Sequence, residues 1–364
     1  MPNAYWVQDW TRFRRDEVLN VPASYKIHSD FTQILTESEV RTAFSRLNAI
    51  FRDLYGRISD SPELFGMPLH LKTQYRHFSQ QWRDSGQAPY RPLMLMYYLL
   101  ISGELSGSYL KVSAERFKRV CNVKNTPKIF AALAKYGVAF EGLKNNRVVN
   151  DIEATYPNYL SVLILMKSLA DKAHNTGRID DFLCCHFRLL QDDFHTADYG
   201  FGADDVADRT HSDAEHKFVY AMDEALTASG YFSKPYGGYE GRGIAYYNTM
   251  KAMETKKPYF FRMVTRSADI VGSVIEKEKL KLLLRIRNIS RCLEYIESCP
   301  ESVKAIFRYS DEGCANRPCH MGVSYEFESN QYWRCGCCSP AFSFKPNIDD
   351  IPHYINLVKL GEKK

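Results

Sequence analysis

The sequence lacks any apolar run that would cross a bilayer. Its richest stretches, residues 93–101 and 160–166, are far shorter than the roughly 20 residues a membrane helix needs. The opening MPNAYWVQDWTRFRRDEV has no apolar core followed by a small-residue cleavage site, the pattern of an export signal. The expected setting is therefore cytoplasmic, with no membrane partner. Charge of one sign is scarce as well. The 48 Lys and Arg against 43 Asp and Glu leave +5, so a nucleic-acid partner has to be argued from where the charge sits. Internal repeats and low-complexity tracts are missing. So are a Gly-x-Ser-x-Gly elbow, a Walker loop and a dinucleotide fingerprint. Several large enzyme classes lose support, and no catalytic residue is assigned.

What is present is enough chain for more than one core. With 364 residues, 45% apolar and 13% aromatic, the expected class is α+β and multidomain. Residues 1–88 carry helical periodicity through Val40, Phe44, Leu47, Phe51 and Leu54, and read as an N-terminal helical segment. Turn residues gather at Ser85, Gly86 and Pro89, and a winged-helix-like unit is expected over 89–155. Residues 156–204 read as connecting helices, one to about His174 and a second over 180–195. Residues 205–310 read as a small antiparallel sheet, with strands near 231–236, 243–248, 259–265 and 279–289, flanked by helices over 215–229 and 291–307. Pro300 should interrupt the second of these. Residues 311–364 form a cysteine-rich tail ending in a helix near 350.

Five of the ten cysteines fall within residues 314–338. The pattern Cys314-x4-Cys319, then Cys335-x2-Cys338, sets two short thiolate loops on either side of a segment that has to bring them back together. Residues 322–334 alternate apolar and polar side chains around a two-residue turn expected at Ser329-Asn330, which suits a hairpin. This resembles zinc ribbons. The resemblance implies a structural zinc on Cys314, Cys319, Cys335 and Cys338, with His320 or Cys337 as replacement ligands, and Arg317 and Arg334 offsetting the charge. An iron–sulfur cluster and free thiols are the alternatives.

The basic excess is concentrated. Between Leu110 and Asn150 nine Lys or Arg face two Glu, a local +7 against +5 for the whole chain. Here Ser113 is placed to cap one helix, Thr126 with Pro127 to start a second, and Gly137 to stop it. Phe117, Val120, Cys121, Ile129, Phe130, Leu133 and Tyr136 should face inward. Asn145-Asn146 between Lys144 and Arg147 makes a hairpin tip. The segment resembles winged-helix transcription regulators. That resemblance implies double-stranded DNA as partner, with Asn125, Thr126, Lys128 and Ala132 approaching base edges and Lys118, Arg119, Lys124, Lys135, Lys144 and Arg147 reaching phosphates. A helical hairpin with a solvated lysine face is the plainer alternative.

Cys184, Cys185, His186, Asp192, Asp193, His195, Asp198, His211, Asp213 and His216 offer metal-ligating and acid–base groups without a recognisable spacing, and capping or solvated roles suit them better. The aromatic run from Tyr231 to Phe261 suits a core or the lining of an effector cavity. The functional expectation is a DNA-binding transcriptional regulator with a structural zinc, whose sheet domain senses a small molecule or forms a homodimer. The alternatives are an enzyme or ligand-binding protein working through that domain, and an adaptor docking through its zinc-stabilised tail.

Overall fold

Helical periodicity gives way to β-forming runs along the chain, and the computed structural model follows that change. It describes residues 5–18, 21, 25–75, 79–156, 159–191, 202–210, 212–238, 241–255, 259–265, 268–271, 274–277, 280–310, 322–334 and 341–362. The fold is α+β and multidomain. Two units are present, Met1–Tyr199 with Val271–Ile275, and Gly200–Ile270 with Glu276–Lys364.

In the first unit, α1 (Trp6–Asp16) and α2 (Ser29–Thr32) precede the long α3 (Glu37–Asp60). The start of α3 is fixed by a capping box. Thr36 Oγ1 accepts from the Glu39 amide, and the Glu39 carboxylate accepts from the Thr36 amide at 2.8 Å. Its apolar stripe, from Val40 to Ile58, is fully buried. A 3-10 turn at Pro62–Phe65 ends on Gly66, whose φ of +65° is left-handed. Helices α4 (Gln80–Gln87) and α5 (Arg91–Ser102) follow.

The next elements are β1 (Gly103–Ser106), β2 (Tyr109–Val112), α6 (Ala114–Val120), α7 (Thr126–Lys135), β3 (Ala139–Lys144) and β4 (Arg147–Thr155). The four strands form one antiparallel sheet in the order β1-β2-β4-β3. The hairpin β1–β2 was not anticipated from the sequence. Helix α8 (Leu160–Asn175) packs on α3 and α5 within the same core. Among the described residues the second connecting helix is shorter than expected: α9 (Ile179–Leu183) stops where Cys185 turns to φ +49°, and a 3-10 turn at Phe187–Leu190 follows.

In the second unit, α10 (Ala203–Ala207) and α11 (Asp213–Ala228) lead into β5 (Phe232–Gly238), β6 (Gly241–Tyr247), α12 (Met250–Glu254) and β7 (Phe261–Thr265). After the hairpin of β8 (Ala268–Val271) and β9 (Val274–Lys277), of which Val271–Ile275 is grouped with the first unit, comes β10 (Lys281–Arg285). Helices α13 (Leu293–Ser298) and α14 (Glu301–Lys304) flank Pro300, the expected break. Last come β11 (Val323–Phe327), β12 (Asn330–Arg334), β13 (Ala341–Phe344) and α15 (Ile351–Glu362).

The main sheet has five strands rather than four, in the order β13-β10-β7-β6-β5. The extra strand is β13, which pairs antiparallel with β10 with Leu282 opposite Phe344. Residues 341–362 thus share one sheet and one core with the preceding α+β elements. Ile244, Tyr246, Phe261, Met263, Leu282 and Leu284 alternate onto one face and are buried with Phe218 of α11 and Leu357 of α15.

Candidate nucleic-acid interface

The basic segment folds as helix, turn, helix and hairpin. Ser113 Oγ accepts from the Arg116 amide at 3.4 Å, the expected cap of α6. Gly137, at φ +103°, ends α7, and Val138 donates back to the Leu133 carbonyl at 3.1 Å. Asn145 and Asn146 take φ +51° and +56°, the two left-handed positions a tight hairpin turn requires. Phe117, Ile129, Phe130 and Leu133 are buried as expected, whereas Cys121 and Tyr136 are half-buried and Val120 is 39% exposed.

The start of α7 differs from expectation. The residue before the helix is Asn125, held left-handed at φ +60°, and Thr126 is the first helical residue rather than the cap. Asn125 is not free to read a base: its Nδ2 donates to the Gly66 carbonyl at 2.6 Å. The stem of Lys128 lies against the same glycine, where an added Cβ would come within 3.0 Å of Asn125 Cβ and 3.1 Å of Lys128 Cδ. Ala132 is only 8% exposed and Thr126 is half-buried. Of the four expected base readers, Lys128 alone presents an exposed polar group at its end without a partner among the described residues.

The cations fare differently. Lys118, Lys124, Lys128, Lys135, Lys144 and Arg147 are all exposed, and none has an ion pair among the described residues. Arg119 is the exception within the expected set, 2.6 Å from Glu115 on the same helix face. The flank of α7 bearing Ala131, Ala132 and Lys135 faces the end of α3 and the Pro62–Phe65 turn across a cleft of about 310 Å³. Tyr136 closes it. Its hydroxyl donates toward Asp53 Oδ2 (2.9 Å) and the Ile50 carbonyl (3.1 Å), and the Arg57 guanidinium lies 4.9 Å over its ring. Burial, then the bond to Asp53, pushes the Tyr136 phenol well above its ordinary value.

Cys314, Cys319, Cys335 and Cys338 lie outside the described residues, as do Arg317, His320 and Cys337. The hairpin between the two cysteine pairs is present, but its turn is Glu328-Ser329, at φ +49° and +62°, one residue earlier than expected. Arg334 does not face solvent. It is 5% exposed, donates to the Ile306 carbonyl at 2.6 Å and stacks over Phe342 at 4.8 Å.

Among the described residues no group of three His, Cys, Asp or Glu side chains could hold a metal ion. Cys184 and Cys185 are buried, and burial pushes the Cys185 thiol up, away from the thiolate. His186 is fully buried, its Nδ1 accepting from the Arg188 amide. Asp213 opens α11, and His216 stands edge-on to Tyr220. Asp192, Asp193, His195, Asp198 and His211 lie outside the described residues.

The aromatics of the second unit divide between the two faces of its sheet. Tyr231, Tyr246, Phe260 and Phe261 are core. Tyr236 and Tyr259, edge to face with each other, both lie against Arg262, 4.3 and 4.8 Å from its guanidinium, and Arg285 lies 4.0 Å over Tyr259. No described helix is long and apolar enough to cross a membrane. The chain matches no family model, no curated protein and no solved structure.

Proposed function

We propose that the chain is a DNA-binding regulator that grips the backbone of a duplex through residues 110–150. The observation that carries this reading is the set of six exposed cations, on α6, α7 and the β3–β4 tip, that have no ion pair of their own among the described residues. Charges already neutralised within a protein gain little from a phosphate, whereas unpaired ones release condensed counterions when they meet it. The order of elements supports the winged-helix resemblance. Because Asn125 is engaged by Gly66 and Ala132 is buried, α7 contributes phosphate contacts more than base contacts. Binding should therefore be strongly salt-dependent and weakly sequence-dependent.

Fluorescence anisotropy with a blunt duplex, run over a series of salt concentrations, tests this. Replacing Lys124, Lys128 and Arg147 with alanine should lower affinity alike on unrelated sequences and reduce the log–log salt slope by about 3. Unchanged binding in that variant, or none at low salt by the intact protein, overturns the reading.

A structural zinc on Cys314, Cys319, Cys335 and Cys338 belongs to the same proposal. Its support is the register of β11 and β12, which sets Val323 opposite Arg334, so that the stretches carrying the two cysteine pairs depart from one end of the hairpin. A zinc there would contribute folding energy rather than chemistry. One equivalent of zinc by elemental analysis, and a lowered melting temperature after chelation, are expected. A metal-free protein with undiminished stability rules it out.

A further inference from the structure

The cleft beside α7 has the makings of a ligand site. Its volume of about 310 Å³ lies at the lower end of the range for small-molecule sites. Its apolar lining is shallow because α7 presents Ala131 and Ala132, across from Phe65 and from Leu64, a large aliphatic side chain left 51% exposed. Arg57, Lys135, Asp60 and Ser61 supply the polar part of the lining. Neither Lys135 nor Asp60 has an ion pair among the described residues. The wall at Tyr136 is held in place by Asp53 and the Ile50 carbonyl, and the Arg57 guanidinium lies over its ring.

These features discriminate between ligand chemistries. An apolar floor between small and aliphatic side chains takes a flat hydrophobic body, the Lys135 ammonium takes an anion, and the Asp60 carboxylate takes an N–H donor. A fatty acid satisfies the first two and makes no use of the Asp60 carboxylate, which stays with solvent. Inorganic phosphate satisfies only the second. A nucleotide satisfies all three, with the base on the floor, an amino edge toward Asp60 and a phosphate at Lys135.

We propose that this cleft takes an unpaired nucleotide, its base between Leu64 and Ala131 and its phosphate at Lys135. The choice of a nucleotide rests on the duplex reading, because Lys135 belongs to both surfaces. A base with an exocyclic amine is preferred over thymine, since Asp60 accepts and does not donate.

Anisotropy comparing a blunt duplex with the same duplex carrying a three-nucleotide adenine or thymine overhang tests the proposal, with calorimetric titration of AMP as a second arm. The adenine overhang should tighten binding about five- to tenfold. In Ala131→Leu, which fills the cleft, the overhang-to-blunt ratio should fall to one. Leu64→Ser, on the opposite wall, should act alike, and Asp60→Asn should erase the preference for adenine over thymine. A ratio of one in the unaltered protein, with blunt binding intact, overturns the cleft proposal and spares the duplex reading. A ratio that survives Ala131→Leu, in protein whose circular dichroism and melting are unchanged, overturns it too. If no duplex binds, the duplex reading has failed and AMP decides: binding abolished by Ala131→Leu supports a free-nucleotide site, and no binding rejects the cleft altogether.

Discussion

The two units spend their positive charge in different ways. In residues 110–150 of the first, Lys118, Lys124, Lys128, Lys135, Lys144 and Arg147 extend into solvent with no ion pair among the described residues. In the second, arginines serve the fold itself. Arg262 is 3% exposed against two tyrosine rings, Arg334 holds the Ile306 carbonyl, and Arg308 bridges Glu301 and Glu328. A count of cations treats the two sets alike. Their surroundings do not: one set is costly to remove for stability, and the other, if the proposed duplex reading holds, only for binding.

That contrast can be broken in several ways. The largest expected effect is on the seat of α7. Phe130 is 1% exposed and meets Phe140 edge-on at 5.1 Å. Phe130→Ala should cost about 3–5 kcal/mol in urea unfolding and abolish duplex binding with it. Retained binding at that cost would detach the interface from the packing of α7. Next, Arg262→Ala should destabilise by about 1–3 kcal/mol through lost stacking and packing, while alanine at Lys124, Lys128 and Arg147 together should change stability by less than about 0.5 kcal/mol. Equal effects would erase the distinction between the two sets of cations.

An alkaline titration is expected to act more gently. The Tyr97 ring is fully buried, and burial first, then Tyr98 and Asp171, push its phenol from 10.0 up to about 12. The folded chain keeps that proton where the unfolded chain releases it. The contribution is therefore fully present below pH 10 and lost as pH rises toward 12. Urea midpoints flat between pH 9 and 12 would contradict it. Smallest of all is Arg119→Ala. Both partners of the Arg119–Glu115 pair are more than two-thirds exposed, so stability should fall by about 0.3–0.5 kcal/mol. Duplex affinity should change far less than in the triple variant.

Local signals were read from the sequence with success where they were sufficient by themselves. The stripe of α3, the Ser113 cap, the Asn145-Asn146 turn and the Pro300 break all depend on neighbours within a few residues. What escaped notice depends on partners far along the chain. Asn125 before Thr126-Pro127 looks like the approach to a capped helix, but its left-handed conformation serves a bond to Gly66, 59 residues away. The strand β13 is too short to announce itself, and nothing local tells β10 which strand will lie beside it. The β1–β2 hairpin, Gly103 to Val112, resembles a polar loop because Ser106, Gly107 and Ser108 fill its turn. For the candidate interface, the cations were legible and the loss of Asn125 and Ala132 as base readers was not, since both depend on what α7 packs against.

The late position of β13 has a consequence for how the second unit is made. On a ribosome, β10 is made before β13, because α13, α14 and the β11–β12 hairpin are synthesised between them, and it is free to pair with β7 in that interval. Until then the nascent sheet ends at a row of open amides and carbonyls beside Leu282 and Leu284, the kind of margin to which another growing chain can attach itself. Slow translation through that interval should therefore favour aggregates of unfinished chains. A chaperone binding preferentially to nascent chains halted just short of residue 341 would reveal the vulnerable interval directly.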